Sequence, residues 1–531
     1  MAIVSFLLFT GLVAVGAWLA TRREKLDTST GYFLAGRHLG WLVIAGSLLL
    51  TNLSTEQLVG LNGNGYRYGM QVMSWETWSA LAIILMALVF LPRFLKGGVA
   101  TVPQYLETRY DPMTRRLTSG LFLISMAVNF LPFVLYSGAL ALNELFGVPE
   151  IFGVSETVAI WISVISIAVV GGLYAIFGGL KAVAVSDTIN GVGLILGGLM
   201  IPILGLMSVG DGSMFEGWKT VTEAHPEKMN AIGAPGDNIP FSVHFTGLTF
   251  IVVFYWCTNQ AIVQRTFAAK SLEQGQKGVL LTAFLKIFGA FYLVLPGIIA
   301  FHVFDGALEN PDNAYSALVN EVLPTPLVGL FGAVIFGAIM SSFNSVLNSS
   351  TALFGLDIYK GLLKPEATDK ETVNAGRLFG TILAIVAMLL APLIANAPAG
   401  LFDLMKQINS FFNIPLLALV VMGMLTKRTP ALAAKVGLAV GMVFYGTVAV
   451  GFKNTLFGIE WHWLHVAGAN FWIIIIAMAW VTKLAPRPEP YEAVYTKEVD
   501  IQPWKHAKPV GLALAVLILL NYVYFSPLFF K

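Results

Sequence analysis

The sequence predicts an all-α membrane protein of about fourteen spanning helices. Three observations carry that expectation. Of the 531 residues, 56% are hydrophobic and only 12% are charged, roughly half the charged fraction of a soluble domain, and the mean hydropathy is +0.75. The apolar residues fall in continuous runs long enough to cross a bilayer, about 20 residues each. They lack the ten-residue alternation of a membrane β-barrel. Lys and Arg gather on one side of these runs.

Taken in chain order, the runs lie near 2–21, 41–63, 70–94, 117–147, 156–177, 187–208, 242–262, 279–304, 325–359, 374–396, 400–426, 429–452, 460–482 and 509–528. The first has no small-residue cleavage site before Arg22-Arg23, so it reads as a helix rather than a signal peptide. With the amino terminus outside, Arg67, Lys219, Lys228, Lys453 and Lys531 lie outside, and Lys286 and Lys406 fall within spans. The remaining Lys and Arg residues sit in or beside the inner loops. The positive-inside rule therefore predicts a multi-pass protein of the inner (plasma) membrane, in contact with the lipid bilayer, with both termini outside.

A net charge of +2 gives no reason to expect a nucleic-acid partner. The single cysteine, Cys257, lies in a span and leaves no intrachain disulfide. There is no zinc-ligand spacing, phosphate-binding glycine loop or nucleophile elbow, so no enzyme is expected. His462 and His465 read as interfacial residues at a span end.

The stretch Leu48-Leu-Leu-Thr-Asn-Leu-Ser-Thr-Glu-Gln-Leu-Val-Gly60 puts polar residues in the middle of a span, where each costs free energy unless it finds a partner. Five spans later, Tyr255-Trp-Cys-Thr-Asn-Gln260 interrupts another at similar depth. Irregular backbone at membrane depth is tolerated where it lines a cavity, and paired interruptions mark transporters built from inverted repeats. This predicts an extra helix and inner loop over 1–40, a first repeat over 41–208 and an outer loop over 209–241. A second repeat over 242–428 and three closing helices over 429–531 follow. Five helices per repeat make the two topologies opposite.

Candidate site residues follow from their chemistry. Ala338, Ser341, Ser342 and Ser345 share one helical face. Hydroxyls and freed carbonyls suit a small monovalent cation, although small residues also serve close helix packing. Intramembrane ionisable groups default to function, and here they are Glu56, Glu76, Asp187, Lys286, Asp403 and Lys406. Asp187, at the start of its run, reads equally as an N-cap. Glu76 and Lys286 either bind solute or merely stitch two helices. Together with the amides of Gln57, Asn129 and Gln407 they suit a sugar, whose hydroxyls both donate and accept. Tyr255 and Trp256 offer a face for a pyranose ring.

These residues resemble a known set. Gly31-Tyr-Phe-Leu-Ala-Gly-Arg37, Asn52-Leu-Ser-Thr-Glu-Gln57, Tyr174-Ala-Ile-Phe-Gly-Gly-Leu180 with Asp187, Gln264-Arg-Thr-Phe-Ala-Ala-Lys270 and Ser341-Ser342 with Leu347-Asn-Ser349 are similar to motifs of the sodium/solute symporter family. The likeness is strongest to its sugar-carrying branch, and it runs from the first helix to the last. It implies a LeuT-type five-plus-five inverted-repeat core with one helix before and three after. It further implies Na+ as the coupling ion, held by carbonyls of Leu50 and Leu53 with Ala338, Ser341 and Ser342. Sugar contacts map onto Gln57, Glu76, Ser79, Asn129, Lys286 and Gln407, with Asn52 nearby. Tyr255 becomes the inner gate, with Trp256 beside it, and Trp75 stands where the branch has an outer-lid tyrosine. Val252 replaces an amide of the galactose carriers. Asn344 replaces a hydroxyl of two-sodium members, although Ser345 and Asp187 are present.

The implied function is import of a neutral galactose- or glucose-like hexose, coupled to sodium influx by alternating access. The alternatives are another small solute, such as an acidic sugar or inositol, or a non-transporting membrane sensor. Glu76, facing the solute, argues against an acidic sugar. The roughly 25 residues between the last two runs are too few for a signalling module.

Overall fold

The computed structural model describes residues 2–22, 26–396, 401–456 and 458–530. The side chains of Glu56 and Asp403, two of the carboxylates singled out above, lie outside the described residues. Eleven helices are long and apolar enough to cross a membrane, and a twelfth crossing is the pair Leu272–Ile287 and Gly289–Val303, bent by 53°. Two shorter apolar helices complete the set. Trp41–Asn52 continues after a break into Thr55–Tyr68, and Gly247–Cys257 continues into Gln260–Phe267. Against the fourteen runs read from the sequence, the described residues hold eleven to twelve helices that pass as crossings, with these two shorter apolar helices besides.

Glycine marks two of the turns between crossings. Gly69, at φ 75°, divides the run Gln57–Lys96, which at 40 residues is about twice what a bilayer needs. Gly179, at φ 63° and ψ −174°, bends the 54-residue helix Glu156–Val209, a conformation open to glycine because it has no Cβ. The crossing after this bend begins at 180 rather than 187. Asp187 is therefore two turns inside its helix and fully buried, which excludes the N-cap expected of it. Lys181, next to the bend, gives the segment before Asp187 the look of a loop.

Helix Glu156–Val209 packs against Thr325–Ala352 and Trp41–Asn52. These contacts are close because glycines line them: a Cβ on Gly337 would lie 2.5 Å from Asn190 Cγ. Small residues bring backbones together where lipid supplies no hydrophobic drive. The first helix, Ala2–Thr21, lies against Thr325–Ala352 and Glu156–Val209. Outside the bundle, Thr455–Leu456 and Ile459–Glu460 form an antiparallel hairpin, the one sheet among the described residues. Helical turns of the wider π type occur at Met86–Phe90 and Met126–Phe130. Such turns often sit beside functional sites, and the second carries Asn129.

Candidate functional site

The first broken helix opens at Leu53-Ser54. The Ser54 N–H, which would extend the helix by bonding to the Leu50 carbonyl, donates to the Asn52 carbonyl at 2.9 Å. The Gln57 N–H likewise donates to Ser54 at 3.1 Å and not to Leu53. The carbonyls of Leu50 and Leu53 thus fall outside the helical ladder. Ser54 has no side-chain capping bond, and its buried hydroxyl has no partner.

Helix Thr325–Ala352 faces this opening. Ser342 Oγ donates to the Thr51 carbonyl at 3.2 Å, so its lone pairs remain able to accept a cation. Ser341 Oγ is buried beside the Asp187 carboxylate, and Ala338 is fully buried one turn earlier. Carbonyls freed at the break and the hydroxyls of Ser341 and Ser342 are oxygen donors of the kind a sodium ion takes.

Behind this set lies a network that the sequence did not reveal. Arg265, counted above among the inner-loop cations, is fully buried. It donates to Ser47 Oγ at 3.1 Å, and also to Ser345 Oγ and the Ala261 carbonyl. Ser47 in turn donates to Asp187 Oδ2 at 2.7 Å. Ser345 Oγ and Thr51 Oγ1 are 2.9 Å apart. Asp187 and Arg265 therefore compensate one another through a shared serine.

Next to the break is a cavity of about 50 Å³, room for about three water molecules. A hexose has twelve heavy atoms, so its entry requires wall side chains to move. Asn52, Gln57, Trp75, Ser79, Tyr255 and Trp256 line it, as does Val252. Gln57 Oε1 is buried without a partner. Ser79 Oγ bonds back to the Trp75 carbonyl at 2.6 Å. Trp75 stacks on Trp463 with centroids 6.2 Å apart and planes 16° apart, which closes one side. The ring of Tyr255 meets Trp256 edge-on at 5.4 Å.

Four expected solute contacts are not on this wall. Glu76 and Lys286 form a fully buried ion pair between helices Ser74–Leu85 and Leu272–Ile287. Lys286 Nζ also donates to Asn52 Oδ1 at 2.6 Å and sits 5.7 Å from the Trp256 ring centroid. The pair thus supports the wall from behind. Asn129 Nδ2 donates to the Met405 carbonyl at 3.4 Å. Gln407 gives its backbone carbonyl to Tyr445 OH at 3.2 Å, and its neighbour Lys406 faces the cavity instead.

One residue on a helix is a rotation of about 100°, enough to exchange the two. Lys406, Asn409 and Asn413 all line the cavity. Their i, i+3, i+7 spacing in an apolar helix was a signal available in the sequence. Asn259, also on the wall, belongs to the polar interruption read from the sequence, whereas Ser125 had no comparable signal.

A LeuT-type bundle with two broken helices, one of them opened beside a hard-oxygen set and a polar cavity, defines a sodium-coupled secondary transporter and not an enzyme. The sequence profile described as "SSF: Sodium:solute symporter family" matches residues 32–441, and the chain belongs to that family. It is 50% identical over 517 residues to the "Uncharacterized symporter YidK" of Escherichia coli (strain K12), covering 97% of this chain and 90% of that one. It is 32% identical to the "Sodium/glucose cotransporter" of Vibrio parahaemolyticus, with 82% of each chain covered. Among solved structures, a substrate-bound, outward-open Na+-coupled sialic acid symporter superposes with a TM-score of 0.76 at 20% identity. That match covers 93% of this chain and 99% of the other, and at this identity it speaks to fold alone.

Proposed function

We propose that the chain imports a sugar, a hexose-sized polyhydroxylated solute, together with sodium by alternating access. The observation that carries this reading is that one helix break serves both ligands. Ser342 Oγ reaches the Thr51 carbonyl beside the break, while Asn52 and Gln57, on either side of it, line the solute cavity. Sodium bound at Leu50, Leu53, Ala338, Ser341 and Ser342 fixes the break in one geometry. That geometry in turn sets the Asn52 and Gln57 amides for the solute. An ion can bias the conformational equilibrium only through such differential affinity.

The amides of the wall donate and accept as sugar hydroxyls do, and Trp256 and Tyr255 supply apolar faces. The name of the Vibrio parahaemolyticus relative supports a sugar among candidate solutes. Trp75, stacked on Trp463, serves as the outer lid and Tyr255 as the inner gate. In this reading 41–208 and 242–428 are the two inverted halves, and the Lys and Arg distribution puts both termini outside the inner membrane.

Counterflow of labelled sugars in proteoliposomes, with and without sodium, tests the reading. Sodium-dependent exchange of at least one hexose or hexose derivative is expected. Sodium binding without exchange of any sugar would sink it.

A further inference from the structure

Helices Leu272–Ile287 and Ala507–Tyr524 are tied near both ends. At one end the Trp504 N–H donates to Gln276 Oε1 at 2.8 Å, and at the other Asn521 Nδ2 donates to the Ile287 carbonyl at 3.2 Å. Between these ties lies a groove of about 440 Å³, with Leu281, Phe284, Val510 and Leu514 along it. Phe284 is 42% exposed, so the groove opens toward the bilayer. Lipid supplies no hydrophobic drive to close such a gap, and an acyl chain fills it at no cost in polar groups.

The mouth of the groove has the composition of a headgroup region. Trp41, Trp504 and Lys277 line it, and tryptophans of this kind sit at membrane interfaces. Lys277 Nζ lies 5.6 Å from the Trp504 ring centroid and pairs with Glu273 at 2.6 Å. Lys505 and Lys508 flank the start of Ala507–Tyr524; both are exposed, and neither has a partner among the described residues. The other carboxylate of this segment, Asp500, accepts from the Gln502 N–H at 3.0 Å. Lysine is thus in excess there. His506 lends the helix no side-chain cap, and an uncapped amide end favours negative charge. From Lys277 to Phe284 the helix rises about 10 Å, so charge sits at the mouth with apolar surface beneath it.

We infer that this groove binds an anionic phospholipid, its phosphate headgroup at Lys505 and Lys508 beside Trp504 and an acyl chain along Leu281, Phe284 and Leu514. Basic pockets between membrane helices on the cytoplasmic side take such headgroups. This mouth lies on the face where most Lys and Arg residues gather. The lipid lies against the helix that carries Lys286, outside the wall of the solute cavity.

The test is tryptophan quenching of the full chain in vesicles of phosphatidylcholine and phosphatidylglycerol in equal parts. Either one lipid or the other carries brominated acyl chains, which quench a tryptophan they touch. The share of the signal due to Trp504 is the difference between the native chain and Trp504→Phe. Brominated phosphatidylglycerol is expected to quench that share more strongly, with a binding preference of about fivefold for each lysine. Lys505→Gln with Lys508→Gln should remove the preference, and Lys505→Arg with Lys508→Arg should keep it. Should the glutamine variant not fold, the native comparison of the two brominated lipids still decides the matter. Equal quenching by both lipids would reduce the groove to an ordinary bilayer contact and overturn the inference. So would a preference that survives the glutamine variant. Relief of the quenching by glycerol 3-phosphate, which has the headgroup's chemistry without chains, would show a site for a free anion and overturn it as well.

Discussion

The two broken helices interrupt the membrane in the same way but finish their backbones differently. At the second break, the N–H groups of Thr258 and Asn259 both donate to the Phe254 carbonyl at 2.9 Å. Thr258 Oγ1 donates there too, and Asn259 Oδ1 caps the Ala261 N–H at 3.0 Å. This break carries its own side-chain cap. At the first break, Ser54 caps nothing, its hydroxyl is unpartnered, and two carbonyls are left out of the ladder. A buried polar group left unpaired costs roughly 1–3 kcal/mol. The two breaks therefore differ in their caps: Asn259 caps the helix after the second, and Ser54 caps nothing after the first. Equivalent places in a fold need not do equivalent work, and the local capping tells them apart.

The largest expected effect comes from removing the support behind the open break. Glu76→Ala leaves the Lys286 ammonium buried with Asn52 as its remaining bonded partner, and breaking such a pair costs about 3–5 kcal/mol. The melting temperature of the purified protein should fall sharply. Adding Lys286→Met should restore much of the loss. If Glu76→Ala melts like the native chain, the pair does not brace Asn52.

Next, Ser341→Ala removes one hydroxyl from the sodium set, worth about 1–3 kcal/mol. It should raise the sodium half-saturation for uptake about tenfold. Asn259→Ala, at the capped break, should leave that half-saturation near its native value and cost about 1 kcal/mol of stability through the lost cap. The reverse pattern would erase the distinction between the breaks.

A smaller change is expected at Val252, on the wall just before the capped break. Val→Asn supplies a donor and an acceptor where an apolar wall rejects epimers only weakly. Competition by hexose epimers and deoxy sugars should become more selective by several-fold, roughly tenfold at most. Strict selectivity in the native protein would show that another residue already reads that hydroxyl.

The smallest effect is acid loosening at the carboxyl end of helix Thr55–Tyr68. Lys228 Nζ donates to the carbonyls of Tyr66 and Arg67 at 2.8 and 3.1 Å and is held by the short segment that begins at His225. Burial, and then the neighbouring His302, lower the His225 pKa below the ordinary histidine value. Its contribution to stability is full above that ordinary value, about 6.5, and is lost as pH falls below it, because the unfolded chain takes up the proton first. The melting temperature should therefore decline slightly more steeply below pH 6.5 in the native chain than in His225→Gln. Equal slopes would exclude His225 as the titrating group.

Much of the bundle was legible because hydropathy and length decide where a chain can cross lipid. Both breaks could be read from Asn52 to Gln57 and from Thr258 to Gln260, since polar residues at that depth are costly unless they line a site or pair within the protein. What could not be read was rotation and bending. Gly179 gives no sign in the sequence that it turns one crossing into the next, so Asp187 reads as the start of a helix. Gln407 and Lys406 differ by one position, and hydropathy does not say which of two adjacent polar residues faces inward. Arg265 looks like a loop cation because charge alone suggests water, while its hydroxyl acceptors lie on residues far along the chain.

The charge of the solute bears on how uptake is powered. A sodium ion moving with a neutral sugar carries one charge, worth about 2.3 kcal/mol per 100 mV. A tenfold sodium gradient adds about 1.4 kcal/mol, so accumulation could reach roughly 500-fold. A sodium ion moving with a monoanion carries no net charge. The voltage then drops out, and the same gradient supports about tenfold. The charge of the solute would in this way decide whether the cell's electrical potential or its sodium gradient alone sets its internal supply.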